Sequence, residues 1–167
     1  MDKIEEWNEH RTKVPAGQYL LKCVKAEKTK IWHEGTGGWG GSEKVVLWFE
    51  IMGGEHSGKV APMFLPLQKD KYGKTTGKVP QGSHYFTYWV IANGLKWPER
   101  GRLKEMPVSK FVDKVFEGEV VDVKPRWSNG KEQPEPFHYS RASVLYKLFG
   151  EVTNDSENPK PQKPEFS

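Results

Sequence analysis

The chain has 167 residues, a formal net charge of +4 and 29% charged side chains, a size that suits one domain with appendages around one sizeable core. Its only cysteine, Cys23, excludes an internal disulfide and a multi-cysteine zinc site and fits a reducing cytosol. No apolar run approaches the roughly 20 residues of a membrane span, and MDKIEEWNEHRTK has neither the apolar core nor the small-residue cleavage site of a signal peptide, so a soluble cytoplasmic protein is expected.

Residues 1–13 are polar, with Ile4 and Trp7 as apolar anchors at helical spacing, and read as an N-terminal arm of weak order, either a short amphipathic helix or frayed chain. The domain itself is expected over 14–150. After the turn entry Val14-Pro15-Ala16-Gly17, Gln18 to Lys30 reads as a long strand, with Tyr19, Leu21 and Cys23 on one side and Leu20, Lys22 and Val24 on the other. HEGTGGWGGS, residues 33–42, holds five glycines and cannot pack a core, so Trp39 is expected on a contact loop.

From Lys44 to Leu67 the pattern is that of a hairpin. Val45, Leu47, Phe49 and Ile51 alternate with Val46, Trp48 and Glu50, and Gly53, Gly54 and Gly58 supply the turn. Pro62 and Pro66 cannot donate to a ladder and place the returning strand at an edge or at a barrel corner. A second contact loop, Gln68 to Pro80, sets Lys69, Lys71, Lys74 and Lys78 against Asp70, with Tyr72 in its middle.

Beyond Ser83 the period changes. Phe86, Trp89, Val90 and Asn93 recur at three- and four-residue steps before Gly94, which predicts a helix, and Pro107 to Val115 repeats the signal as a shorter one. Strands are then predicted near 117–127 and 137–148, joined by the Asn129-Gly130 turn and the EQPEP stretch, which join the first three near 17–30, 44–52 and 58–67. The core is expected to include Leu21, Leu47, Phe49, Val121 and Val123. The tail, 151–167, is polar and proline-containing and reads as disordered.

Three strands, a helical segment and two more strands is the order of an oligonucleotide-binding (OB) fold, a five-stranded Greek-key barrel, all-β with minor helices, whose helical segment sits between strands 3 and 4. Residues 1–13 carry three basic and four acidic groups and residues 151–167 two basic and four acidic, so the body from 14 to 150 holds +7. A basic body suits a polyanionic partner. Seven Trp, six Tyr and eight Phe exceed what such a core needs, so some rings are expected at the surface.

Those rings and cations interleave: Lys28, Lys30 and Trp32; Lys44 and Trp48; Lys71, Tyr72 and Lys74; Lys124, Arg126 and Trp127; Tyr139 and Arg141. Phosphates need cations and unstacked bases need flat π surfaces, so these residues with Trp39 are the candidate binding set for a single strand, with little sequence preference. In the bland alternative, Trp48 and Trp127 cap the apolar ends of the barrel and the lysines form a solvated face. No enzyme is expected: His10, His33, His56, His84 and His138 are scattered without zinc spacing, and the glycine run at 37–41 lacks the lysine and hydroxyl of a phosphate loop. No cofactor is called for.

The chain also resembles phage-encoded OB-fold proteins related to single-stranded DNA-binding proteins, over roughly residues 14–148. The likeness rests on P-A-G-Q-Y (Pro15 to Tyr19), K-A-E-K (Lys25 to Lys28), F-E-I-M-G-G-E-H-S-G-K (Phe49 to Lys59) and a helical segment ahead of E-G-E-V-V (Glu117 to Val121). The insert at Lys69 to Pro80 and the loop around Glu132 to Pro136 depart from the compact pattern. The resemblance implies single-stranded DNA binding in phage replication or recombination, and a C-terminal tail that recruits replication proteins. The rival is a protein-interaction module that binds a host factor through Trp39 and the basic loop.

Overall fold

A computed structural model describes residues 4, 13–31, 42–72 and 74–151. The candidates Trp32 and Trp39, most of the N-terminal arm and the tail beyond 151 lie outside them. Five strands form one antiparallel sheet: β1 (Gly17–Ile31), β2 (Ser42–Met52), β3 (Val60–Pro66), β4 (Lys114–Val123) and β5 (Tyr139–Glu151), in the order β3-β2-β1-β4-β5. Between β3 and β4 lies a helix, α1 (His84–Ala92). The expected all-β architecture with minor helices is present as this five-stranded antiparallel sheet with its helix, but the sheet is not closed into a barrel: β3 and β5 approach within 8 Å between Cα atoms and share no ladder. Among the described residues no helix is long and apolar enough to cross a membrane.

Leu21 sits at the middle of this arrangement. It lies opposite Ile51 of β2 and Phe116 of β4, because long β1 pairs with β2 from Leu20 to Ile31 and with β4 from Gly17 to Lys22. Two bulk decisions follow from local sequence. Gly53, Gly54 and Gly58, all at positive φ, close the β2–β3 hairpin, where Ile51 N–H donates to Lys59 O at 2.8 Å. Pro62 and Pro66 lie on β3, an edge strand, where a missing N–H is tolerated.

Under the sheet, four rings meet edge to face or tilted: Phe49 against Phe116 at 6.0 Å, Phe116 against Phe111 at 6.5 Å, and Phe111 against Tyr85 at 5.7 Å. They join β2, β4, the segment before β4 and α1 into one core. Ser83 caps α1, its Oγ accepting from Phe86 N–H at 3.2 Å. Tyr85 Oη donates to Met106 O at 2.6 Å and Trp89 Nε1 to Pro107 O at 3.1 Å, which fastens the helix to the chain that follows. Burial pushes the Tyr85 phenol above its ordinary pKa.

Three expectations are corrected. Pro107 to Val115 is not a helix: a 3₁₀ turn covers Val108–Phe111, Asp113 takes φ 69° with its N–H on Cys23 O, and β4 begins at Lys114. Of the apolar residues in that segment Phe111 and Val115 are buried, Val115 as part of β4, and the positive φ at Asp113 between them ends helical geometry. In β4 the inward parity is Phe116, Gly118 and Val120, so Val121 and Val123 are half-buried rather than core. Alternation over VVDV fits either face, and the side that wins is the one on which a glycine can take the tight approach.

The third correction is a bulge. Between Cys23 and Lys25 the β1–β2 register shifts, so Ala26 and Lys28 fall opposite Leu47 and Val45 on the inward face instead of continuing with Leu20, Lys22 and Val24. Cys23 itself is fully buried, and burial pushes its thiol up to about 12. A thiol reagent at about pH 8, where a free cysteine with pKa ~8.5 reacts, is expected to label Cys23 only after unfolding. Labelling at the rate of a free thiol in native conditions would show that β1 opens.

Candidate nucleic-acid interface

Because Val45, Leu47 and Phe49 point inward, Lys44, Val46 and Trp48 point to the outer face of β2. At β5, Ser140 and Ala142 are buried, which sends Tyr139 and Arg141 outward. Ser140 Oγ accepts from Val14 N–H at 2.8 Å, pinning the start of β5 to the chain before β1. A second apolar cluster forms on this outer side from Val46, Trp48 and Val60, with Val24, Phe64, Tyr139 and Ile4 packed on it. The structure therefore brings Trp48 and Tyr139 together, with Lys44 and Arg141 on the same face. Trp48 is only 6% exposed, and its Nε1 donates to Glu27 Oε1 at 3.3 Å, so its ring is apolar packing rather than an open stacking platform.

The connection from β4 to β5 is where exposed rings and cations coincide. Gly130 N–H donates to Trp127 O at 2.9 Å and Trp127 N–H to Lys131 O at 2.8 Å, with Gly130 at φ 88°, so the Asn129-Gly130 turn forms as its sequence dictates. Gln133 N–H donates to Pro125 O at 2.8 Å, and Arg126 Nη1 donates to Gly130 O at 2.9 Å. His138 Nε2 stands 2.8 Å from Gln133 O and 3.3 Å from Glu132 Oε2, and since both neighbours are acceptors, that nitrogen carries a proton. On this braced loop the rings of Trp127 and Phe137 pack edge to face at 6.2 Å and are each 47% exposed. Lys124, Arg126 and Lys131 are exposed beside them.

The remaining candidates gather at the other end of β2. Thr75 Oγ1 donates to Glu43 Oε1 at 2.5 Å, and Lys28 Nζ reaches Glu43 Oε2 at 4.0 Å, so the second contact loop meets the end of β1 there. Asp70 Oδ1 accepts from the N–H groups of Tyr72 and Lys74 at 2.8 and 2.9 Å. Those bonds, that of Lys74 first, hold its carboxyl below the ordinary 3.8. The turn presents Tyr72, 76% exposed, with Lys71 Nζ 5.2 Å from its ring centroid. Lys30 is described only by its backbone, opposite Glu43.

Phe137 and Lys131 belong with Trp127 but were absent from the sequence-derived set. The signal was an aromatic closing the loop opposite the Asn-Gly turn. A cleft of about 420 Å³ between the end of β3 and the start of α1, lined by Pro66, Leu67, Lys78, Val79, Ser83 and His84 among others, contains none of the sequence-derived candidates. No group of three or more His, Cys, Asp or Glu side chains placed to hold a metal occurs among the described residues. No protein-family model, curated protein or solved structure matches the chain.

Proposed function

We propose that the protein is an OB-type single-stranded DNA-binding protein, acting without chemistry on the strand. The fold reading is supported by the pairing order β3-β2-β1-β4-β5, with a helix between β3 and β4 and edges that approach without pairing, as in a partly open five-stranded barrel. The observation that carries the function is the Trp127 and Phe137 pair, exposed on a braced loop with Lys124, Arg126 and Lys131, at the point where the chain enters the outer face bearing Tyr139, Arg141 and Lys44. In OB folds the face of strands 2 and 3 and the loop between strands 4 and 5 bind oligonucleotides. Stacked bases and neutralised phosphates need these two residue types side by side. A role in phage DNA replication or recombination in the host cytoplasm accompanies this reading.

Titration of intrinsic tryptophan fluorescence with oligo-dT at two salt concentrations tests it. Trp127→Ala is expected to weaken binding by about 1–3 kcal/mol whatever the base sequence, since every base offers a π face. Lys124→Gln is expected to lower the slope of log affinity on log salt by about 0.7. Constant fluorescence and no gel shift at low salt would overturn the reading. The protein-interaction alternative is favoured by one feature, the edge strand β5, which leaves Tyr146 and Phe149 each 48% exposed. Such binding would not fall steeply with salt.

A further inference from the structure

The chain between β3 and β4 contains a small two-stranded bridge apart from the main sheet. Val79 N–H donates to Gly101 O at 2.7 Å, Leu103 N–H donates to Gly77 O at 2.9 Å, and Lys78 pairs directly with Arg102. Gly101 faces inward: a Cβ there would lie 2.7 Å from Val79 O and 3.7 Å from Phe86 Cε2. Arg100 and Arg102, on either side of it, therefore project the opposite way, and both are exposed. Lys78, directly across from Arg102 and exposed, shares their side while Val79 is buried.

Two like charges directly opposite one another on paired strands are destabilising. Nothing offsets this pair within the described residues. The acidic groups of 94–105 are Glu99 and Glu105, yet none of Lys78, Lys96, Arg100, Arg102 and Lys104 lies within 4.0 Å of a described carboxylate. Phe86, the ring nearest a Cβ at Gly101, also holds Trp97 at an edge-to-face angle at 5.2 Å, and Trp97 is 62% exposed. Leu95, two residues earlier, is 68% exposed at φ 68°. An exposed indole on a rigid support, one ring away from a bridge that carries three cations with no carboxylate partner among the described residues, has the chemistry of a phosphate-and-base contact.

We propose that Lys78, Arg100, Arg102 and Trp97 form a second contact for single-stranded nucleic acid, the cations on consecutive phosphates and the indole on one base. This rests on the function proposed above and makes the binding site bipartite. The bridge belongs to the connection that enters β4 and the Trp127 loop to the one that leaves it. The ten residues of β4 span at most about 30 Å. A strand reaching both must be longer than one that fills either.

The test uses the full chain and two oligo-dT probes, one of about 8 nucleotides, inside the ~4–16 that an OB fold covers, and one of about 30. Arg100→Gln with Arg102→Gln is expected to weaken the long probe about tenfold or more and to reduce its salt slope by about 1.4, at 0.7 per phosphate contact, while the short probe changes less than about twofold. Trp97→Leu, which keeps an apolar side chain against Phe86, is expected to weaken the long probe alone, with an unchanged thermal midpoint. If the wild type binds both probes and these variants match it, the second contact is overturned and the proposed function stands. Equal loss on both probes would also overturn it, placing the bridge in the primary site. Capture of polyglutamate through Arg100 and Arg102 in place of the long probe would assign an acidic protein as occupant and overturn it as well. If the wild type binds neither probe, it is the proposed function that fails, and the second contact with it.

Discussion

Phe49→Ala is expected to destabilise the fold by about 3–5 kcal/mol, the cost of removing a fully buried aromatic ring and leaving a cavity. The position is exacting because Phe49 lies opposite Cys23 of β1 and Ala61 of β3, and its ring meets Phe116 of β4 at 6.0 Å and 89°. Loss of the ring takes away one end of the aromatic chain that continues through Phe111 to Tyr85 on α1, so the sheet and the helix loosen together. Urea denaturation followed by far-UV circular dichroism measures this. Phe49→Leu, which refills most of the volume, is expected to cost about 1.5 kcal/mol or less. A midpoint unchanged in Phe49→Ala would mean that the faces of β2 are assigned backwards.

Gly118→Val is expected to be as damaging, for the opposite reason. A Cβ at Gly118 would stand 2.6 Å from Val144 O, 2.9 Å from Leu21 Cδ1 and 3.2 Å from Leu145 Cδ2. The first of these is backbone of β5, which cannot swing aside as a side-chain end can, and β4 and β5 already shift register between Glu117 and Gly118. Even Gly118→Ala is expected to cost about 1–3 kcal/mol by overpacking, and valine more. Elsewhere in a strand, replacing glycine by valine is favourable because valine suits a pleated surface. The sign of the change is therefore the diagnostic: a thermal midpoint that rises in Gly118→Val would show that β4 and β5 do not approach so closely.

Much of the fold was legible because its signals are local. The β2–β3 hairpin follows from alternation over Val45 to Ile51, three glycines at positive φ and prolines confined to an edge. Ser83 and the three- and four-residue steps after it start α1 where the sequence predicts. The Asn129-Gly130 turn forms, and places Trp127 at its first position with the ring exposed. In these segments hydrogen bonds and dihedral limits lie within a few residues, so composition alone selects the geometry.

Long-range pairing settled the rest. The bulge after Cys23 reverses the alternation of β1 and carries Lys28 to the face opposite Trp48, although both belong to the candidate binding set. In β4, Val120 rather than Val121 turns inward, since Gly118 on that parity is where Leu21 and β5 close in. Trp48 is as aromatic as Trp127 in sequence, but Val46, Val60, Phe64 and Tyr139 surround it with Ile4, while Trp127 stands out on a loop. Lys78 and Arg102 come together only because residues 77–79 and 101–103 pair across more than twenty positions. A one-residue change in register moves every later side chain to the other face of a strand. The sequence by itself therefore determines the elements whose signals are local and the residue chemistry, and the tertiary pairing decides where β4 begins and which rings and cations share a surface.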